Sequence, residues 1–398
     1  MAVLALAACA DNERKGSPLE PADPRLNASL LQASEAAKQS DKPNVVENHF
    51  VKSALRCSEC HEGAYEGWRK SAHARASASP SYKAMRAHAG GAQSAGCDRC
   101  HSPFAGRIPA RNLALREGVN CDGCHMVARV APTDDGHISL THELADNVKY
   151  STLEEAKDHY FHRVRYSDAH GESELCGGCH QYRRTLPNGE TLPVYTEYQE
   201  WEAGPWGEIG LPCQTCHMQE YTGEAAVGEG ERSSLKDHAF LEEGGELRST
   251  VLEAGLRAER DGQSVHLRGT LTNKGAGHYI PTGMPARRII LRAYTVSEQG
   301  KAGPEASIAF GRVLVDAQGN EAPFYRAVRV DRDTRLAPKQ QRNIDLRVKP
   351  VEGAKHLQVE VAWVSFSAPV AKAIGLTEVK TEQLYQQRLP IGDGKRSH

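Results

Sequence analysis

The stretch Cys57-Ser58-Glu59-Cys60-His61 decides the fold, because its Cys-x-x-Cys-His spacing occurs five times in this chain of 398 residues. The other copies are Cys97-Asp-Arg-Cys100-His101, Cys121-Asp-Gly-Cys124-His125, Cys176-Gly-Gly-Cys179-His180 and Cys213-Gln-Thr-Cys216-His217. This spacing is the attachment signature of c-type haem. Two thiols bind the two vinyl groups of one haem, and the histidine that follows ligates the iron. We therefore predict five covalently bound haems c.

Other cysteine chemistries explain the pattern less well. Disulfides would not require a histidine after every pair. Zinc sites combine cysteine pairs with one another or with spaced histidines. A thioredoxin-like protein has a single Cys-x-x-Cys motif, placed within a βαβ pattern, whereas this chain has five such pairs.

Thirteen histidines lie outside the motifs and are available as second axial ligands. His73 follows the first motif at helical spacing, and His238 follows the last motif. Glycines beside His278 allow the backbone to approach a flat cofactor. The candidate distal ligands are His73, His238, His278, His88, His142 and His162.

The remaining candidates are weaker. His159 and His162 share one face of a predicted helix, so we expect only one of them to bind iron. Met85 is the one methionine that we consider as an axial ligand. Structural or surface roles are expected for histidines in polar turns (His137, His170) and in strand-like runs (His266, His356).

Composition supports a cofactor-filled interior. Apolar residues make up 39% of the chain and aromatic residues 6%, so side chains alone would build a thin core. The net charge of −2 argues against nucleic acid as a partner, because nucleic acid requires a basic face.

The N-terminus predicts export and membrane anchoring. Residues 1–9 are apolar and end in Leu6-Ala7-Ala8-Cys9, which is typical of a lipoprotein signal whose cysteine is acylated, although a basic n-region is missing. Residues 10–44 have the composition of a flexible tether. We therefore predict lipidation at Cys9 and a location on the periplasmic side, attached to the inner or outer membrane. No other stretch is long and apolar enough to predict a transmembrane helix.

The rest of the chain predicts an α+β architecture in two parts. Residues 45–245 hold all five motifs and should form a mostly helical, loop-rich domain, with helices at about 61–75, 153–164 and 194–203. The first cysteines of motifs 2 and 3 are only 24 residues apart, which predicts adjacent haems. Residues 246–370 contain seven alternating runs and predict an antiparallel, Ig-like β-sandwich. Residues 371–398 predict a closing helix, at about 371–387, and a tail.

Several of these stretches resemble a known family. Tyr65-x-x-Trp68-x-x-Ser71-x-His73 and Gly118-Val-Asn-Cys121 are similar to elements of the multihaem cytochromes typified by the tetrahaem electron acceptor of hydroxylamine oxidoreductase. The resemblance implies a periplasmic electron carrier with closely stacked, mostly bis-histidine haems, and it implies His73 and His278 as distal ligands. This chain departs from the family in having five motifs rather than four, and it lacks the Cys-x-x-Cys-Lys motif of many nitrite reductases.

Two functions remain open from the sequence. The first is electron transfer by hopping between haems, with a quinol dehydrogenase or another cytochrome as redox partner and no catalytic residue. The second is reduction of a small nitrogen or sulfur oxyanion at a haem with an open face. Nearby proton donors or cations would then be needed, and candidates are Arg183, Arg184, Tyr160 and Arg163.

Overall fold

The computed structural model describes residues 50–240 and 250–392, which belong to one compact unit of the chain. The predicted signal, Cys9 and the tether lie outside the described residues. None of the helices in this described part is long and apolar enough to cross a membrane. We call residues 50–240 the haem segment and residues 250–392 the β segment.

Helices in the haem segment are short and carry the motifs. They are α1 (Ala54–Cys57), α2 (Glu62–Trp68), α3 (Pro80–Ala89), α4 (Gly91–His101), α5 (Cys121–His125), α6 (Ser173–His180), α7 (Glu197–Glu202), α8 (Pro205–Glu208) and α9 (Cys213–His217). Four of the five motifs end a helix at their histidine. The ring of that histidine therefore projects from a helix end, close to the two cysteines of the preceding turn.

Two-stranded ribbons lie between motifs 3 and 4, between motifs 4 and 5, and after motif 5. The pairs are β1 (Val127–Pro132) with β2 (Ile138–His142), β3 (Val148–Ser151) with β4 (Arg163–Tyr166), β5 (Gln181–Thr185) with β6 (Thr191–Thr196), and β7 (Glu220–Glu224) with β8 (Glu231–Lys236). Gly136 and Gly189 have φ values of 77° and 84° at two of the hairpin turns, a region that favours glycine. The segment predicted to be mostly helical and loop-rich thus contains these ribbons in addition to its helices.

The helix predicted at 153–164 was wrong. His159 and His162 pair across a tight turn, and β4 begins at the next residue. The carboxylate of Asp158 accepts a hydrogen bond from the amide of Val164 at 2.9 Å. Such a local side-chain contact competes with helical hydrogen bonds. The helix predicted at 61–75 ends at Trp68, and the one predicted at 194–203 begins only after β6.

Alternating residues of the β segment form strands at the seven predicted runs, one of which is divided in two. The strands are β9 (Leu252–Asp261), β10 (Ser264–Asn273), β11 (Arg288–Val296), β12 (Ala306–Phe310), β13 (Arg312–Val315), β14 (Arg329–Asp333), β15 (Gln341–Val348), β16 (His356–Val364) and β17 (Thr381–Gly392). The divided run forms β12 and β13, and β17 is a strand that was not predicted. Seven of them form one sheet in the order β12-β11-β16-β17-β9-β10-β15, while β13 and β14 form a separate ribbon. The two edge strands, β12 and β15, approach each other, so the sheet curls around one apolar core. This arrangement confirms a mixed α+β fold, whereas the Ig-like topology remains a prediction.

The C-terminal helix predicted at 371–387 was wrong. A short helix α10 (Ala368–Ala373) ends before Gly375, whose φ is 71°, and β17 follows. Strand β17 pairs antiparallel with β16 and places Leu389 opposite Leu357 in the core, where Leu389 is 5% exposed. Burial of this side of the strand outweighs the helical propensity of its Glu and Gln residues.

Candidate haem-binding cavity

One connected cavity runs through the haem segment and reaches the β segment. Its volume is about 2880 Å³, and all ten motif cysteines and all five motif histidines line it. Shared among five motifs, this is roughly 580 Å³ each, within the range of about 300–1000 Å³ that one organic ligand fills. The thin side-chain core of this segment is thus explained by space that haem can fill.

Unpaired polar atoms in the cavity wall fit haem as well. Within the described residues, the buried Nε1 of Trp206, Oγ1 of Thr282 and Nε of Arg184 have no hydrogen-bond partner. All three residues line the cavity. Each atom can donate a hydrogen bond, and every haem brings two carboxylates that accept them. The residues present therefore suit the cofactor that the motifs predict.

Three of the five motif histidines are oriented by backbone carbonyl groups. Nδ1 of His61 donates to the carbonyl oxygen of Ala225 at 2.7 Å, and Nδ1 of His101 donates to that of Ala76 at 2.8 Å. Nδ1 of His125 contacts the carbonyl oxygen of Tyr150 in the same way, at 2.8 Å. A proton on Nδ1 leaves the lone pair on Nε2, which is the tautomer that a metal requires.

Distances between histidine rings identify which pairs can hold one iron. A metal–imidazole bond is about 2.0 Å long, so two rings on opposite sides of one iron have centroids roughly 6.3 Å apart. Four motif histidines have such a partner: His61 with His162 (6.2 Å), His125 with His238 (6.1 Å), His180 with His73 (6.3 Å) and His217 with His278 (6.3 Å). The planes differ by 24° to 79°, which rotation about a shared iron–nitrogen axis allows.

His170 is a second neighbour of His125, with ring centroids 5.9 Å apart. However, Nε2 of His170 donates to the carbonyl oxygen of Cys124 at 3.1 Å, and its ring stacks on Tyr150. The ring of His238, at 6.1 Å from that of His125, lies closer than the ring of His170 to the separation of roughly 6.3 Å expected across one iron. His238 is therefore the better candidate for the motif 3 iron.

The position of His73 is set by hydrogen bonds that Trp68 and Ser71 of the same sequence element make. The indole Nε1 of Trp68 donates to the carbonyl oxygen of Val119 at 2.8 Å, and the buried hydroxyl of Ser71 donates to that of Trp68 at 2.7 Å. The amide of Val119 in turn donates to the carbonyl oxygen of His73 at 2.9 Å. A side chain at Gly118 would lie 2.4 Å from the same oxygen, so only glycine fits. The Trp-x-x-Ser-x-His element thus fixes His73 against the chain that leads into motif 3.

His238 is held by an equally close approach. A Cβ atom at Gly67 of α2 would lie 3.1 Å from the amide nitrogen of His238 and 3.0 Å from that of Ala239. The Gly67 position therefore lets the His238 loop pack directly on the helix that follows motif 1.

His101 of motif 2 has no histidine partner at this separation in the described part of the chain. The ring of Tyr82 stacks on it at 4.4 Å, and the Tyr82 hydroxyl donates to Asp98 at 2.6 Å. Met85 instead packs in an apolar cluster with Tyr325 and Phe366. The structure thus leaves the second axial ligand of motif 2 unassigned.

Phenols and cations lie around motif 2. Tyr182 and Tyr195 lie near Cys97 and Cys100, and both line the cavity. Burial raises the pKa of both phenols, so they remain protonated near neutral pH. Arg184 and Arg287 also line the cavity, and each acts on the charge of one of these tyrosines. The sequence predicted several proton donors or cations for a reductase site. Arg184, one of these, lies near motif 2. Tyr160 and Arg163 instead lie beside His162, near motif 1.

Two of the predicted distal ligands are not paired with a motif histidine. Both ring nitrogens of His142 have partners, since Nε2 donates to the carbonyl oxygen of Gly123 at 2.9 Å and Nδ1 accepts from Arg107 at 3.1 Å. Nδ1 of His88 contacts the hydroxyl of Tyr325 at 2.8 Å. Both nitrogens of His142 are thus engaged, which indicates a structural role, whereas the contact of His88 with Tyr325 engages Nδ1 alone.

Motif cysteines from different parts of the chain contact each other. The thiol contacts join Cys57 with Cys121, Cys100 with Cys179, and Cys176 with Cys213. Motif 1 is therefore next to motif 3, and motif 4 is next to both motif 2 and motif 5. The predicted adjacency of motifs 2 and 3 remains a prediction.

Comparison with known proteins agrees with these sites. Residues 56–126, which span the first three motifs, match the family model described as cytochrome c554 and c-prime. The fold is similar to that of a penta-heme cytochrome c552 from Thermochromatium tepidum, with a TM-score of 0.67 and 22% identity over 86% of this chain and 99% of that chain. A match to the Fcho1 Mu homology domain of Danio rerio with bound Eps15 peptide has a TM-score of 0.16 and 10% identity, over 45% of this chain and 75% of that chain, so the two folds are not alike. No curated protein matches the chain significantly. Together, the family match and the shared fold support a multihaem c-type cytochrome with a role in electron transfer.

Proposed function

We propose that this chain carries five haems c and transfers electrons between redox partners, with at least four of the haems ligated by two histidines. The observation that carries the proposal is the set of four ring pairs separated by 6.1 to 6.3 Å. Bound haem supplies the one-electron redox chemistry. The protein supplies two rigid imidazoles for each of these irons, so that ligation changes little between ferric and ferrous states.

Contacts between motifs would provide a route for electrons from haem to haem. Motif 4 lies next to motifs 2 and 5, and motif 1 lies next to motif 3. Cys124 of motif 3 also lies near Cys176 and Cys179 of motif 4. Every motif thus has a close neighbour, as hopping along a chain of haems requires.

The surroundings of the protein are part of the proposal. The lipobox-like start supports acylation of Cys9 and anchoring on the periplasmic side of a membrane. A membrane-bound quinol dehydrogenase or another cytochrome would then be a suitable redox partner. Mass spectrometry of the membrane fraction, with Cys9→Ser as the control, tests the anchor.

A second candidate function is supported by the surroundings of His101. An iron without a second histidine can bind a small ligand, and the protonated phenols of Tyr182 and Tyr195 and the guanidinium of Arg184 line the cavity near this motif. These groups suit a small oxyanion of nitrogen or sulfur that takes up electrons and protons. Reduction of such an anion at motif 2 is therefore the alternative to simple electron transfer.

Electron paramagnetic resonance of the oxidised protein, quantified per haem, tests both proposals. We expect four low-spin haems with two histidine ligands and one haem with a different spectrum that binds one equivalent of cyanide. Five bis-histidine signals would exclude the reductase function but leave electron transfer intact. Fewer than four low-spin signals would contradict the proposed ligation.

A further inference from the structure

Glu200 is a buried carboxylate between the haem segment and the β segment, with a side chain that is 9% exposed. Its two oxygen atoms have different partners. Oε1 accepts from Nη2 of Arg335 at 2.7 Å and from Nη2 of Arg312 at 3.3 Å. Oε2 accepts from the backbone amide of Tyr279 at 3.0 Å.

The charges around Glu200 balance. Asp333 accepts from Nε of Arg312 at 3.0 Å and from Nη2 of Arg335 at 2.9 Å, so two carboxylates face two guanidinium groups. A buried charge is tolerated when it is paired and hydrogen-bonded in this way. Arg335 also lies over the ring of Tyr279, with its guanidinium carbon 5.0 Å from the ring centroid. The cluster therefore holds Tyr279 by its amide and by its ring.

Tyr279 directly follows His278, the partner of motif 5. The carbonyl oxygen of His278 accepts from Nδ2 of Asn273 at 3.0 Å. A side chain at Gly277 would lie 3.1 Å from the indole of Trp206, so this residue packs against α8. The backbone on both sides of His278 is thus fixed, and the amide that follows it is fixed by Glu200.

Glu200 also connects the two parts of the motif 5 site along the chain. It lies on α7, which leads through α8 to Cys213 and Cys216, whereas His278 comes from the β segment. A hydrogen bond from Tyr279 to Glu200 therefore sets the distance between the cysteines of this site and its distal ligand.

We propose that Glu200 is the positioning residue for His278, and that the β segment serves as a structural part of the motif 5 haem site. This inference rests on the proposed ligation by His278. It explains why a buried carboxylate sits where an apolar side chain would otherwise fill the interface. It also assigns the β segment a role in holding a ligand.

Glu200→Gln tests the proposal with almost no change in shape. An amide has one oxygen, so it cannot accept from both the arginine pair and the Tyr279 amide. We expect His278 to lose its fixed position and one low-spin haem signal to be partly replaced by a high-spin signal. Carbon monoxide should then bind to a fraction of one additional haem. Glu200→Asp keeps the charge but shortens the reach to Tyr279, so it should have the same effect and serves as a second variant if the first does not fold.

Asp333→Asn is the matched control, because it removes a carboxylate from the same cluster without a contact to Tyr279. It should leave the haem signals unchanged, whereas His278→Ala should show the full loss of one low-spin signal. If both Glu200 variants keep the wild-type spectrum while His278→Ala changes it, the role of Glu200 is refuted and the ligation stands. If Asp333→Asn has the same effect as Glu200→Gln, the effect is one of charge and the positioning role is refuted. If His278→Ala leaves the spectrum unchanged, His278 is not a ligand, and both the ligation of motif 5 and the inference fail.

Discussion

Replacement of Gly67 by alanine should disturb a haem site from a position outside every motif. Gly67 lies in α2, and its added Cβ would be 3.0 Å from the amide nitrogen of Ala239 and 3.1 Å from that of His238. It would also lie 2.5 Å from Oδ1 of Asp237, which itself accepts from the amide of Ala239. All three atoms belong to the loop that carries His238, so the loop must move away from the helix.

The size of the effect follows from two opposing contributions. Alanine in a helix is more stable than glycine by about 1 kcal/mol. Overpacking against backbone atoms costs about 1–3 kcal/mol. We therefore expect a net loss of about 0–2 kcal/mol in the free energy of unfolding. Relief of the contacts needs a shift of several tenths of an ångström, which is large compared with the tolerance of a metal–nitrogen bond.

The assay combines chemical denaturation with the resonance spectrum of the oxidised protein. Gly67→Ala should convert part of one low-spin signal, that of motif 3, to high-spin. Gly63→Ala is the control in the same helix, since its Cβ would meet only the hydroxyl end of Tyr221, at 3.1 Å, and that side chain can move. A Gly67→Ala protein with a wild-type spectrum and increased stability would refute the placement of His238 beside this helix.

Three further substitutions test single contacts. Trp68→Phe removes the donor to the carbonyl of Val119 and should lower the free energy of unfolding by about 1–3 kcal/mol in guanidinium denaturation. Arg288→Met leaves the partly buried carboxylate of Glu321 without its ion-pair partner and should cost about 3–5 kcal/mol by the same measurement; a loss below 1 kcal/mol would contradict this. His142→Ala should leave all haem signals unchanged, which ligation would not allow. Burial lowers the pKa of His142 from 6.5 to about 4. As the pH falls between these values, the unfolded wild-type chain binds a proton at this residue before the folded chain does, which lowers the free energy of unfolding. The His142→Ala variant lacks this titration and should therefore lose less stability over the same pH range.

Covalent haem attachment and most strands of the β segment could be predicted because their signals are local. A Cys-x-x-Cys-His motif needs only five consecutive residues, and the alternation in Ser264–Asn273 and His356–Val364 directly marks which side chains face the core. The Trp68-x-x-Ser71-x-His73 element was visible in the sequence, but its hydrogen bond to Val119, 51 residues later, was not.

The pairing of distal histidines could not be read from the sequence. His142 and His162 have similar polar surroundings, but only His162 lies opposite a motif histidine, and that partner is about 100 residues earlier in the chain. The hydrogen bonds that engage His142 come from Gly123 and Arg107, and a single sequence contains no record of this proximity. Strand β17 could not be predicted for the same reason: it forms because it pairs with β16, and not because its own residues favour a strand.

The histidine pairs have a consequence for how the chain holds together. If each pair holds one iron as proposed, it closes a long loop, from residue 61 to 162, 73 to 180, 125 to 238 and 217 to 278, and each loop overlaps the next. Crosslinks that close long loops reduce the entropy of the unfolded chain, and overlapping ones cannot be released independently. With the proposed ligation, the irons would crosslink the chain through overlapping loops, so we expect the haem segment to unfold as one cooperative unit instead of haem by haem.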